Sequence, residues 1–102
     1  MIIRGGENIY PVEIETVLAE HPSVVQCVVI GVPDEHWGET VRAYVTAPPW
    51  SGAAEDLAAE LVELCRGRLA RYKVPAEVVV REELPMNASG KILKRELRRL
   101  DT

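Results

Sequence analysis

Two β-forming runs joined by a short connection dominate the first half of the chain. Val24 to Val32 is densely β-branched, and Val41, Ala43, Val45 and Ala47 alternate with Arg42, Tyr44 and Thr46. β-Branched side chains favour extended backbone, and strict alternation marks a strand with one buried face. The intervening Pro33-Asp34-Glu35-His36-Trp37-Gly38 is turn-rich and too short for a crossover, so the two strands are predicted to pair antiparallel. Glu77 to Arg81, centred on Val78-Val79-Val80, reads as a third strand.

Helical spacing fills the gaps between these runs. Pro11 suits a first helical position, Ile14, Val17 and Leu18 share one face, and His21-Pro22 stops a helix predicted over 11–20. Leu57, Leu61, Leu64, Cys65 and Leu69 form a second stripe that ends at Val74-Pro75. Leu93, Leu97 and Leu100 form a third, in a helix predicted from about Lys91 to Leu100. Pro48-Pro49-Trp50-Ser51-Gly52-Ala53-Ala54 breaks regular structure between the two halves. With 102 residues, 47% of them hydrophobic, the chain fits one domain. The predicted class is α+β: a small sandwich, a mostly antiparallel sheet of about three strands with helices packed on it.

Charge limits the function classes. The net charge is −4, and a general affinity for nucleic acid would need a basic surface. The charge is uneven: residues 1–87 hold 7 basic and 14 acidic side chains, residues 88–102 hold 5 and 2. Cys27 and Cys65 match no metal-ligand spacing, so no metal site is expected, and both read as reduced, buried thiols. No signal peptide and no membrane-spanning run is recognisable, which predicts a cytoplasmic protein. His21, His36, Trp37 and Trp50 read as structural residues, the two tryptophans as packing residues. Lys94, Arg95, Arg98 and Arg99 read as a solvated helix face.

Two glycine-containing loops invite a ligand. In Arg4-Gly5-Gly6-Glu7-Asn8-Ile9-Tyr10-Pro11 the paired glycines permit positive φ and close approach to backbone, and Glu7 and Asn8 add polar groups beside them. A tight turn into the first helix would use the same residues. In Pro85-Met86-Asn87-Ala88-Ser89-Gly90-Lys91, Ser89 reads as the cap of the last helix, with Lys91 in its first turn, where the helix dipole disfavours a cation. Such a lysine is free to meet a phosphate or carboxylate, as is any solvated surface lysine. The chain has neither a Walker-type nor a dinucleotide-type glycine loop, so it holds no complete nucleotide site.

Taken in order, these stretches resemble the C-terminal domain of the adenylate-forming superfamily, in its acyl-CoA ligase branch. The resemblance rests on Ile3-Arg4-Gly5-Gly6-Glu7-Asn8-Ile9-Tyr10-Pro11 with Glu13-Ile14-Glu15, His21-Pro22, Val32-Pro33-Asp34, Trp37-Gly38-Glu39, Tyr72-Lys73-Val74-Pro75, Leu84-Pro85 and Ser89-Gly90-Lys91. It implies that residues 1–102 are a mobile domain that works with a large N-terminal domain, which would bind ATP, Mg2+ and the carboxylic acid. It further implies that Lys91, carried by Ser89 and Gly90, supports formation of an acyl-adenylate. In a second pose Gly5, Gly6, Glu7 and Asn8 would line the channel through which the pantetheine thiol of coenzyme A attacks. The family's hinge residue and phosphate loop are absent, so the chain reads as a fragment that would be inactive alone. An adenylation domain that loads a carrier protein, or a non-catalytic interaction module that keeps the fold, are the alternatives.

Overall fold

A hairpin too short to show periodicity opens the chain. In the computed structural model, which describes residues 1–100 apart from the side chain of Leu100, β1 (Ile2–Arg4) pairs antiparallel with β2 (Glu7–Ile9). Pro11 then starts α1 (Pro11–Leu18), which buries Ile14, Val17 and Leu18. The two β-branched runs become β3 (Gln26–Asp34) and β4 (Gly38–Thr46), antiparallel and in register from Gln26 opposite Thr46 to Asp34 opposite Gly38. A 3-10 turn over Pro49–Ser51 leads into α2 (Ala54–Arg68), which buries Leu57, Leu61 and Cys65.

β5 (Glu77–Arg81) joins the other side of β4, but in parallel, with Tyr44 opposite Val79. This orientation follows from α2: its 15 residues carry the chain roughly 22 Å back along the sheet, so β5 starts opposite Arg42 and runs the same way as the second half of β4. With β1–β2 also antiparallel, most pairs in the molecule are antiparallel, and the α+β class holds.

The strand order β3-β4-β5 gives a sheet with two apolar faces. Val29, Val41, Ala43 and Val45 face a core shared with Ile2, Ile9, α1 and α2. Val28, Ile30 and Tyr44 face the opposite side, where Leu84 and Leu97 of α3 (Lys94–Leu100) cover them. Burying one such leucine or isoleucine contributes about 1.5–3 kcal/mol. β3 lies at the sheet edge. Its Val29 N–H donates to Oε2 of Glu15 on α1 (2.9 Å), and Lys94 Nζ approaches the same oxygen at 3.9 Å.

Three expectations need correction. The last helix begins at Lys94 rather than Lys91, because residues 86–92 form a small antiparallel turn with Met86 bridged to Ile92. Of the predicted stripe, Leu97 is buried and Leu93 half-buried; the side chain of Leu100 lies outside those described. Trp50 is 84% exposed and packs in no core.

Candidate functional site

The glycine hairpin is defined by two residues in different surroundings. Gly5 and Gly6 hold φ of 56° and 84°, the pair of positive values that a two-residue turn needs to match the strand twist. A Cβ on Gly5 would lie 2.7 Å from Cε3 of Trp37, whereas nothing lies within 4 Å of the corresponding point on Gly6. Gly5 is thus a packing glycine, and Gly6 presents bare backbone to the outside. Glu7 and Asn8, on β2, are exposed beside it.

The β3–β4 turn holds this hairpin in place. The Gly5 N–H donates to the Trp37 carbonyl (2.8 Å), the Ile3 N–H donates to Oε1 of Glu39 (2.9 Å), and the Arg4 guanidinium sits 4.1 Å from the centroid of a Trp37 ring. The Trp37 N–H and then the His36 N–H, both donated to Oδ1 of Asp34 at 2.9 Å, hold the Asp34 carboxyl below its ordinary 3.8. Arg4 also lines an open groove of about 540 Å³ with Arg66, Leu69, Arg71 and Val74. In an acidic domain this is a local concentration of positive charge.

The second loop presents Lys91 from a backbone built around Asn87. Oδ1 of Asn87 accepts the N–H of Ser89 (2.9 Å) and of Lys91 (3.0 Å), its N–H donates to the Lys91 carbonyl (2.9 Å), and its carbonyl accepts the Gly90 N–H (3.0 Å). Gly90 takes φ of 82° to close the turn. Ser89 therefore caps no helix, and Lys91 lies three residues before α3, not in its first turn. The Lys91 side chain is exposed, and its ammonium has no partner among the described residues. It lines an open groove of about 590 Å³ with Asn87, Ile92 and the first residues of α3.

The two loops occupy opposite ends of β3. Gln26 Nε2 donates to Sδ of Met86 (3.4 Å), which puts the lysine loop beside the first residue of the strand, while the glycine hairpin contacts the turn after its last. A strand of nine residues separates its ends by roughly 26 Å. The structure thus keeps the predicted site residues as two groups, Gly5 to Asn8 and Ser89 to Lys91, and does not bring them together.

Other motif residues are structural. Lys73 donates to both carboxylate oxygens of Glu13 (3.0 and 2.9 Å), which ties the 71–73 turn to α1 and raises the lysine above its ordinary 10.5. His21 Nδ1 accepts the Ser23 N–H (3.1 Å), and His36 packs edge-on against Trp37. Both cysteines are free; Cys65 is buried, which pushes it up to about 11, whereas Cys27 is half-buried rather than buried as expected. Among the described residues no His, Cys, Asp or Glu group is arranged for a metal ion, and no helix is long and apolar enough to cross a membrane. Sequence reasoning missed the roles of Asn87 and Glu39. The first had a signal, since asparagine before a Ser-Gly pair commonly closes a turn on its own backbone; the second, a contact between residues far apart in sequence, had none.

Comparison with known proteins agrees with this architecture. Residues 13–91 match the family described as the AMP-binding enzyme C-terminal domain. The chain is 49% identical over 100 residues to the 2-succinylbenzoate–CoA ligase of Bacillus mycoides (strain KBAB4), covering 98% of this chain and 20% of that protein. It is similar to the Mycobacterium tuberculosis fatty acyl CoA synthetase, at 48% identity and a TM-score of 0.87 over 98% of this chain and 19% of the other. It is also similar to the o-succinylbenzoate CoA synthetase of Bacillus subtilis in complex with its acyl-adenylate intermediate, at 44% identity and a TM-score of 0.82 over 95% and 19%. The chain thus spans about a fifth of the length of the relatives it matches. A match across most of the described fold, taking in both the β3–β4 turn that clamps the glycine hairpin and the loop that presents Lys91, means that this chain belongs to the AMP-binding enzyme C-terminal domain family.

Proposed function

We propose that this chain is the small mobile domain of an AMP-forming acid:coenzyme A ligase, which joins a carboxylate to the α-phosphate of ATP with release of pyrophosphate and then transfers the acyl group to the thiol of coenzyme A with release of AMP. The observation that carries the reading is the placement of the two exposed loops at opposite ends of one strand. A domain built this way can offer only one loop at a time to a single active centre, so a two-step reaction is served by turning the domain round.

In the first pose Lys91, without a partner among the described residues and held by its backbone, enters the centre. Attack of a carboxylate on the α-phosphate gathers negative charge on neighbouring oxygens, and a positioned ammonium lowers that barrier. In the second pose the bare backbone of Gly6 lies against pantetheine, with Glu7 and Asn8 beside it. Arg4, Arg66 and Arg71 line a groove next to this hairpin and suit the phosphates of free coenzyme A, which favours it over a carrier protein. ATP, Mg2+ and the acid would be held mainly by the large domain. The relatives named above include a fatty acyl and two succinylbenzoate enzymes that share this domain, which fits an acid pocket located elsewhere. The activity is assigned to the cytoplasm.

The test is Lys91→Ala in the full-length ligase. Acid-dependent pyrophosphate exchange is expected to fall on the order of a hundredfold, while thioester formation from preformed acyl-adenylate stays near wild type. The 102-residue chain alone is expected to show background exchange. An equal fall in both half-reactions would overturn the assignment of Lys91.

A further inference from the structure

β1 is a three-residue strand paired on one side only. The outward N–H groups of Ile3, in β1, and of Gly5, just after it, have no paired strand to receive them. The structure supplies two acceptors of different kinds: the Trp37 carbonyl for Gly5 (2.8 Å) and a carboxylate oxygen of Glu39 for Ile3 (2.9 Å). Glu39 thus does for β1 what a backbone carbonyl of an adjacent strand would do. The carboxylate fits because of a vacancy inside the sheet. Gly31, buried in the middle of β3, has ordinary backbone geometry, yet a Cβ there would lie 2.6 Å from Oε2 of Glu39 and 3.1 Å from Cγ1 of Ile2. A glycine inside a strand marks the close approach of another group, and here that group is the far oxygen of the same carboxylate.

We propose that Glu39, seated over Gly31, is a positioning residue for the thiol-transfer step: it fixes the Gly5-Gly6 turn to the sheet so that the Gly6 backbone meets pantetheine at the right depth. The proposal rests on the ligase reading above. Glu39 touches no reacting atom, and its effect passes through the Ile3 amide to the hairpin. The lysine loop hangs from the other end of β3, so adenylation does not depend on it.

Half-reactions of the full-length ligase separate this from a general structural role. Glu39→Ala is expected to slow thioester formation from preformed acyl-adenylate by about tenfold or more, since small misplacements of a positioning group carry penalties of that order, with pyrophosphate exchange within about twofold of wild type. Glu39→Gln, which keeps a carbonyl oxygen for the Ile3 amide, should restore most of the rate. Gly31→Ala, which leaves Glu39 intact but crowds its carboxylate, should reproduce the selective loss, and in the Glu39→Ala background it should add little, because the two changes disturb one contact. If Glu39→Ala does not fold, Gly31→Ala and Glu39→Gln carry the comparison. Equal loss in both half-reactions, no loss in either, or Gly31→Ala and Glu39→Ala acting independently would overturn the proposal. Absence of pyrophosphate exchange from the wild-type ligase with every acid would instead sink the ligase reading.

Discussion

Asn87 shows how much one side chain can organise. Its single acceptor oxygen takes two backbone N–H groups, and its own peptide group bonds twice more within the same loop. Asn87→Asp keeps the acceptor, whereas Asn87→Ala removes it. On the ligase reading proposed above, the alanine variant of the full-length protein is expected to lower pyrophosphate exchange at least several-fold, with the aspartate variant near wild type and thioester formation unchanged in both. Tyr44 is the opposite case: its hydroxyl is buried without a hydrogen-bond partner among the described residues. An unpaired buried hydroxyl costs about 1–3 kcal/mol, so Tyr44→Phe should leave the melting temperature unchanged or raise it. A drop of several degrees would mean that the hydroxyl makes a stabilising bond. Lys91, Gly5 and Gly6 stood out in the sequence only as parts of a set of motifs in register, since a surface lysine or a tight turn would use the same residues. The reading of Ser89 as a cap failed because a cap needs a helix to follow, and the bridge between Met86 and Ile92 took those backbone groups first.

Among the elements, the opening hairpin separates two glycines that look alike in sequence. Both pay for replacement through positive φ, but only Gly5 faces a wall, the Trp37 ring. Gly5→Ala is therefore expected to destabilise the domain in urea by about 1 kcal/mol or more beyond Gly6→Ala, since crowding adds to backbone strain. Equal losses would mean that Trp37 swings aside freely. The long strands and α2 were legible because each repeats its pattern over many residues. β1 and β2, three residues each, do not. The parallel setting of β5 was equally hidden, because a run of valines carries no mark of direction, and its orientation comes from the length of the helix before it.

Over the whole molecule, ionisation sets a window of stability. Burial raises Cys65 from its ordinary 9.0 to about 11, so between those values the folded chain keeps a proton that the unfolded chain releases, and stability falls as pH rises through that range. The Lys73–Glu13 pairing acts in the same direction: it contributes fully below the lysine's ordinary 10.5 and is lost as pH climbs past its raised value. Asp34 bounds the acid side, its contribution present above 3.8 and lost as pH falls through its lowered value. The melting temperature is thus expected to be flat from about pH 5 to about pH 8.5 and to decline on both sides, and Cys65→Ala should flatten the first part of the alkaline decline whatever it does to absolute stability. At this scale only the 41–47 run showed one apolar face by alternation, and the cover on both sides of the sheet was not read, because which face each strand offers depends on a register that only the folded partners set. The outer strand β3 has a consequence of its own. Exposed strand edges recruit other strands. With the Val29 amide already taken by Glu15, a second copy meeting β3 edge to edge finds that rung of the ladder occupied.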